Sequence, residues 1–155
     1  MNAKTISSLD VLNFKAVPLS DVRYRVLIVD DSASFQKLLT LTLSMQPQIG
    51  EIDCVSSGDE AIRKVKVENY DIIFIDAVMP GMDGYQTCSL LRKYDGYKDT
   101  PIIMVTGLTS PSDEAQSIIA GSSYFVTKPI QQLAFKQMLD RVIFMIEYKK
   151  KLARK

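Results

Sequence analysis

The sequence contains no histidine in its 155 residues. That absence removes Ser-His-Asp and Cys-His catalysis, HExxH zinc sites, and any role as a phosphohistidine donor. Cysteine is nearly absent too. Cys54 and Cys88 lie far apart, each inside an apolar pattern, and we read them as reduced core thiols of a cytoplasmic protein. No apolar run approaches the roughly 18 residues that a membrane span requires. Near the N-terminus Ile6, Leu9, Val11 and Leu12 are interleaved with polar residues, which is not the pattern of a secretory signal. The glycine-rich phosphate loops GxxxxGK(S/T) and GxGxxG are also missing. Any chemistry must therefore come from carboxylates, hydroxyls, lysine and backbone.

Charge is nearly balanced but unevenly placed. The net charge is +1, yet residues 149–155 carry Lys149, Lys150, Lys151, Arg154 and Lys155 with no acid. Removing those five cations leaves −4 on the rest of the chain. A mildly acidic body argues against a nucleic-acid-binding surface. The length suits one domain that folds without disulfides or metal.

Residues 1–23 lack a clear period and form an extension, with a short helix expected around Ser8–Phe14. From there apolar runs and helical stripes alternate. The runs are 25–30, 51–55, 71–76, 101–106 and 123–127. Those at 25–30 (RVLIVD) and 71–76 (DIIFID) are almost unbroken and end in acid, which suits strands buried on both faces. Between them we expect a helix from an N-cap at Ser32, with the stripe Phe35, Leu38, Leu39 and Met45, ending before Pro47. A second helix is expected over 58–68 on Ala61, Ile62 and Val65. Pro80, Gly81 and Gly84 mark a loop, followed by a helix through Tyr85, Cys88 and Leu91. A short helix over 113–120 stops at Gly121. A last one runs from Gln131 to about Lys150, with Leu133, Leu139, Val142, Ile143 and Ile146 as its stripe. Five strands alternating with five helices predict an α/β fold, a parallel sheet covered on both faces. Function in such folds sits beyond the C-terminal ends of the strands.

Three acids fall at strand ends: Asp30 and Asp31 after the first, Asp76 after the third. If those strands are neighbours, three carboxylates converge. They would repel unless a cation joined them. Oxygen ligands favour a hard ion such as Mg²⁺. The plainer alternative is that they are solvated strand ends or helix caps, a role that suits Asp31. Thr106 ends the fourth strand and Lys128 follows the fifth. Singly, the first reads as a β-branched strand residue and the second as a loop lysine. Together the set offers nucleophile, metal ligands, hydroxyl and ammonium, a constellation that fits phosphoryl transfer.

The motifs VDDS at Asp30–Asp31, FIDAVMPGMDG around Asp76, MVTG at Thr106 and GSSYFVTKP ending at Pro129 occur in that order. Asp76 and Thr106 are 30 residues apart, Thr106 and Lys128 are 22 apart. In these motifs and spacings the chain resembles the response-regulator receiver family from about Val26 to Ile146. The resemblance implies a flavodoxin-like, doubly wound sheet of order 2-1-3-4-5 over residues 24–148, with 149–155 a basic tail or the start of a linker. It implies that Asp76 accepts the phosphoryl group. Asp30, Asp31, Asp76 and the backbone carbonyl of Val78 would hold Mg²⁺, with Asp30 acting partly through water. Thr106 and Lys128 would bind the phosphoryl group, and Phe125 would be the switch aromatic. For Phe125 ordinary strand packing is the alternative, and for Tyr124 it is the expectation. A cis Lys128–Pro129 peptide is implied as well.

The partners so implied are a sensor histidine kinase or phosphotransfer protein and a downstream protein or output domain, with no direct nucleic-acid or membrane contact. The chain would be a cytoplasmic signalling protein that catalyses its own phosphorylation and slow dephosphorylation. Val78 and Leu108 are apolar where a hydrolytic water would pass, which predicts a long-lived phosphorylated state. The remaining residues leave no room for a helix-turn-helix, and a stand-alone regulator acting by protein contact is favoured over a fragment. Two rivals differ. A haloacid-dehalogenase phosphatase needs an acid two residues after its nucleophile, where this chain has Val78. A receiver fold used only as a binding scaffold would take no phosphoryl group.

Overall fold

The three central apolar runs, at Tyr24–Val29, Ile72–Ile75 and Ile102–Thr106, pair as neighbours because each is hydrophobic on both sides and buries both faces. The computed structural model describes residues 22–154, so the helix expected around Ser8–Phe14 lies outside the described residues. Five parallel strands form one sheet in the order 2-1-3-4-5. They are β1 (Tyr24–Val29), β2 (Ile49–Val55), β3 (Ile72–Ile75), β4 (Ile102–Thr106) and β5 (Tyr124–Thr127). The helices are α1 (Ala33–Ser44), α2 (Gly58–Val67), α3 (Gly84–Leu91), α4 (Pro111–Ala120) and α5 (Gln132–Ala153), with a 3₁₀ turn at Asp95–Tyr97. The expected α/β sheet and its strand order are therefore observed.

Alternation along the strands splits the core into two layers. Leu27, Val29, Ile73, Ile75, Ile102 and Met104 face α2, α3 and α4, where Ala61, Val65, Cys88, Leu91 and Ala120 meet them. Val26, Ile28, Ile72, Phe74, Ile103 and Val105 face α1 and α5, against Leu39, Leu43, Phe135, Leu139 and Val142. Among the described residues, no helix is long and apolar enough to cross a membrane.

Local chemistry sets the helix starts. Ser32 caps α1 by accepting from Phe35 N, Ser57 caps α2, and Asp83–Gln86 forms a capping box on α3. α4 begins two residues earlier than the apolar stripe suggests. Ser110 and Asp113 make a second capping box with Pro111 in the first turn, where its missing N–H costs nothing. Gly121 closes α4 at φ +98°.

Several stripe assignments need correction. On α1 Leu38 is exposed and Met45 is 75% exposed, while Thr42 and Leu43 take the buried face with Leu39. At 100° per residue, positions 39, 42 and 43 share one side, and 38, 41 and 45 turn away from it. Leu133, in the first turn of α5, is exposed for the same reason, and Phe135 and Met138 are buried instead. Cys54 is exposed on edge strand β2, so only Cys88 is a core thiol; both are free. Burial raises the Cys88 pKa to about 11. α5 continues past Lys150 to Ala153, its terminal lysines complementing the helix dipole.

Arg92 ties the lower ends of three elements together. Its guanidinium donates to the carbonyls of Gly121 (2.9 Å), Tyr97 (2.7 Å) and Thr100 (2.6 Å). Burial lowers its pKa. Removing it strands three carbonyls, so Arg92→Ala should cost about 2–4 kcal/mol. Arg92→Lys should recover only part of that, because an ammonium lacks the planar fork. Urea unfolding checks this; a loss below about 1 kcal/mol would mean that water replaces the fork.

Candidate functional site

β1 and β3 pair directly, Val29 opposite Ile75, so Asp30 and Asp76 leave the sheet side by side. Asp31 follows at the same edge. One carboxylate oxygen from each of the three lies within 4.8 Å of the others. Asp30 and Asp76 are buried and Asp31 is exposed. The cap of α1 is Ser32, not Asp31, which leaves the Asp31 carboxylate turned to the cluster.

Lys128 supplies the counter-charge. It reaches back from the end of β5 to Asp30 Oδ2 at 2.8 Å and Asp76 Oδ2 at 3.3 Å. Its position is fixed from behind by its own N–H, which donates to the Thr106 carbonyl at 2.8 Å. The Lys128–Pro129 peptide is cis, as the resemblance implies. The other carboxylate oxygens are oriented by backbone. Ser32 N donates to Asp30 Oδ1 (2.8 Å) and Val78 N to Asp76 Oδ1 (3.3 Å).

Burial raises the Asp76 pKa, with the Asp30 charge adding to it. Lys128 and the Val78 amide pull the other way without cancelling the effect.

Thr106 is buried at the end of β4, and its hydroxyl accepts from Leu108 N at 3.2 Å. Gly107 has open space where a side chain would stand. Val78 is 55% exposed and Leu108 39% exposed, so both apolar side chains face solvent at this edge. Phe125 is half-buried and packs toward α2, α3 and α4, while Tyr124 packs on the α1–α5 side as expected. The structure thus brings Asp30, Asp31, Asp76 and Lys128 together, with Thr106 and Val78 on their rim. Phe125 sits on β5 outside that cluster.

The sequence does not reveal the roles that three residues take at the site. Gln36 Nε2 donates to the Asp30 carbonyl at 2.6 Å and to the Val55 carbonyl at 3.2 Å, joining the ends of β1 and β2. Gly84 is more than a loop marker. A Cβ there would collide with the Asp76 carbonyl and the Ala77 Cα, so only glycine lets α3 start against the backbone under Asp76. Phe35 lies beneath Lys128, its ring centroid 3.9 Å from Nζ. Its place one turn after Asp31 was the available signal.

The donor set suits a hard divalent ion. All candidate ligands are oxygens, and adjacent ligands of an octahedral Mg²⁺ stand about 3 Å apart. Three carboxylate oxygens within 4.8 Å of one another could draw in around one such ion by side-chain rotation alone.

Residues 26–140 match the response regulator receiver domain family. Protein PilG of Pseudomonas aeruginosa is 32% identical over 109 residues, covering 70% of this chain and 78% of that protein. Transcriptional regulatory protein ResD of Bacillus subtilis is 38% identical over 105 residues, 68% of this chain and 42% of ResD. The chain spans under half the length of the transcriptional regulators among its curated relatives. Among solved structures, chemotaxis protein CheY4 of Vibrio cholerae superposes with a TM-score of 0.72 at 31% identity, covering 78% of this chain and 99% of that one.

Proposed function

Because the chain belongs to the response regulator receiver domain family of two-component signalling, we propose that Asp76 takes a phosphoryl group from the phosphohistidine of a sensor histidine kinase or phosphotransfer protein. The observation that carries this is Lys128 bridging Asp30 and Asp76 at one sheet edge. It puts a nucleophile, a cation and a cluster of oxygen ligands at one point.

A carboxylate is a poor nucleophile toward an anionic phosphoryl group, because like charges repel. An Asp76 oxygen attacks phosphorus, the P–N bond breaks, and its electron pair leaves with the partner's imidazole. Lys128 neutralises charge on the transferring group. Asp30, Asp31, Asp76 and the Val78 carbonyl would hold Mg²⁺, which supplies further neutralisation when bound. Thr106 would then donate its hydroxyl to the phosphoryl oxygen. Movement of Thr106 and Lys128 toward the new anion frees space that Phe125 fills, biasing the β5 face toward a second arrangement. That face would be read by a downstream protein or output domain.

We take residues 24–148 as the receiver unit, preceded by the 1–23 extension and followed by the basic segment 149–155. The protein would work in the cytoplasm beside its kinase, without contacting nucleic acid or membrane itself. Incubation with acetyl phosphate and Mg²⁺, followed by intact-mass spectrometry, tests the proposal. One added phosphoryl group, blocked by a chelator, supports it. No addition at any Mg²⁺ concentration would leave the binding-scaffold role.

The ligand assignment has its own test. Asp31 is the exposed member of the cluster, so Asp31→Ala should fold normally. It removes one of three anionic ligands, and Mg²⁺ affinity should fall about tenfold by calorimetric titration. Unchanged affinity would move the metal away from Asp31.

A further inference from the structure

Lys128 Nζ is 2.8 Å from one Asp30 oxygen, 3.3 Å from one Asp76 oxygen and 3.9 Å from the centre of the Phe35 ring. The ammonium is therefore held on two sides by carboxylates and on a third by an aromatic face. Phe35 is itself fixed. It lies in the first turn of α1, its N–H donates to the Ser32 cap, and its ring packs on the buried layer under α1 and α5. A cation within about 6 Å of a ring centroid is attracted by the ring quadrupole, more strongly where water is excluded. Lys128 is partly buried at this point.

The choice of an aromatic here has a chemical logic. A third carboxylate would hold the ammonium as well, but it would add negative charge where an anionic phosphoryl group must arrive. An aliphatic side chain would fill the space but exert no pull on the cation. A ring face attracts Lys128 without adding net charge and without an acceptor atom to compete for its protons. We propose that Phe35 is a positioning residue, holding the Lys128 ammonium above the Asp30–Asp76 edge through its ring face and so speeding phosphoryl transfer. The rate part rests on the proposed function above; the positioning part does not.

The two parts are tested separately in the 155-residue chain. NMR of the unphosphorylated protein should show the Lys128 ε-methylene protons shifted upfield by the ring. That shift should vanish in Phe35→Leu and persist in Phe35→Tyr. Its absence from the parent overturns the positioning whatever the protein's phosphorylation behaviour. For the rate, acetyl phosphate labelling of Asp76 is followed in Phe35→Leu, Phe35→Tyr and a series with mono-, di- and trifluorophenylalanine at position 35. Fluorination drains the ring face while keeping the shape, so a residue that only packs would show no trend. We expect Phe35→Leu to slow labelling about three- to tenfold, Tyr to restore it, and the fluorinated series to decline stepwise. In a Lys128→Ala background Phe35→Leu should have no further effect. A labelled parent with a flat fluorinated series overturns the rate effect and leaves the proposed function standing. A parent that takes no label overturns the proposed function and the rate effect together.

Discussion

Asp76→Asn is expected to abolish labelling by acetyl phosphate, a loss of at least about a thousandfold against the parent. The substitution removes the nucleophilic charge and almost nothing else. An amide oxygen can still accept from Val78 N, which now donates to Asp76 Oδ1 at 3.3 Å. Lys128 keeps its shorter bond to Asp30 at 2.8 Å, so the edge retains an ion pair and the fold should persist. The neighbouring carboxylates are poor substitutes. Asp30 is buried with one oxygen on Lys128 and the other on Ser32 N. Asp31 is exposed and untethered by Lys128, so an incoming phosphoryl group there would lack the ammonium. Intact mass with peptide mapping gives the answer. Equal labelling of Asp76→Asn, or label mapped to Asp31 in the parent, would refute Asp76 as the acceptor.

Residues whose burial and chemistry agree were legible before the structure. Asp30 and Asp76 stood out because an apolar run ending in acid leaves the acid at the strand's C-terminal edge, and parallel pairing puts all such edges on one side. Thr106 and Lys128 were different. Neither has a periodicity that marks it, and only the motifs in series singled them out. What the sequence concealed was side-chain direction. On α1 the apolar residues are frequent enough to draw two stripes, and only the sheet decides that Leu39, Thr42 and Leu43 face inward while Leu38, Leu41 and Met45 face solvent. Phe35 was assigned to core packing for the same reason, although its ring serves the core on one side and Lys128 on the other. Cys54 looked buried because Ile52 and Val55 stand beside it in the sequence, but an edge strand exposes a side chain that a central strand would bury. Gly84 looked like a turn residue, because its close approach to the Asp76 backbone joins two segments that periodicity treats separately.

The phosphorylated state should be long-lived, and the double variant Val78→Asn, Leu108→Glu should shorten its half-life by about ten- to a hundredfold. Hydrolysis of an acyl phosphate at Asp76 needs a water placed in line with the bond to the aspartate oxygen. Val78 follows Asp76 by two residues and Leu108 follows Thr106 by two, and both side chains reach solvent at the site's rim. Neither can accept a proton or orient a water, and both would crowd its approach. Gly107 between Thr106 and Leu108 leaves open space, so a phosphodonor is not excluded along with the water. The two substitutions supply an amide and a carboxylate able to hold a water and draw on its proton. Exposure of both positions means that neither polar side chain is forced into the core, so the fold should tolerate them. Each single variant should give part of the acceleration, and the pair more than either, if one water is held between them. The measurement is loss of label after removing acetyl phosphate, with Mg²⁺ held constant. A double variant that loses its phosphoryl group no faster than the parent would show that Val78 and Leu108 are surface packing without influence on the water's path.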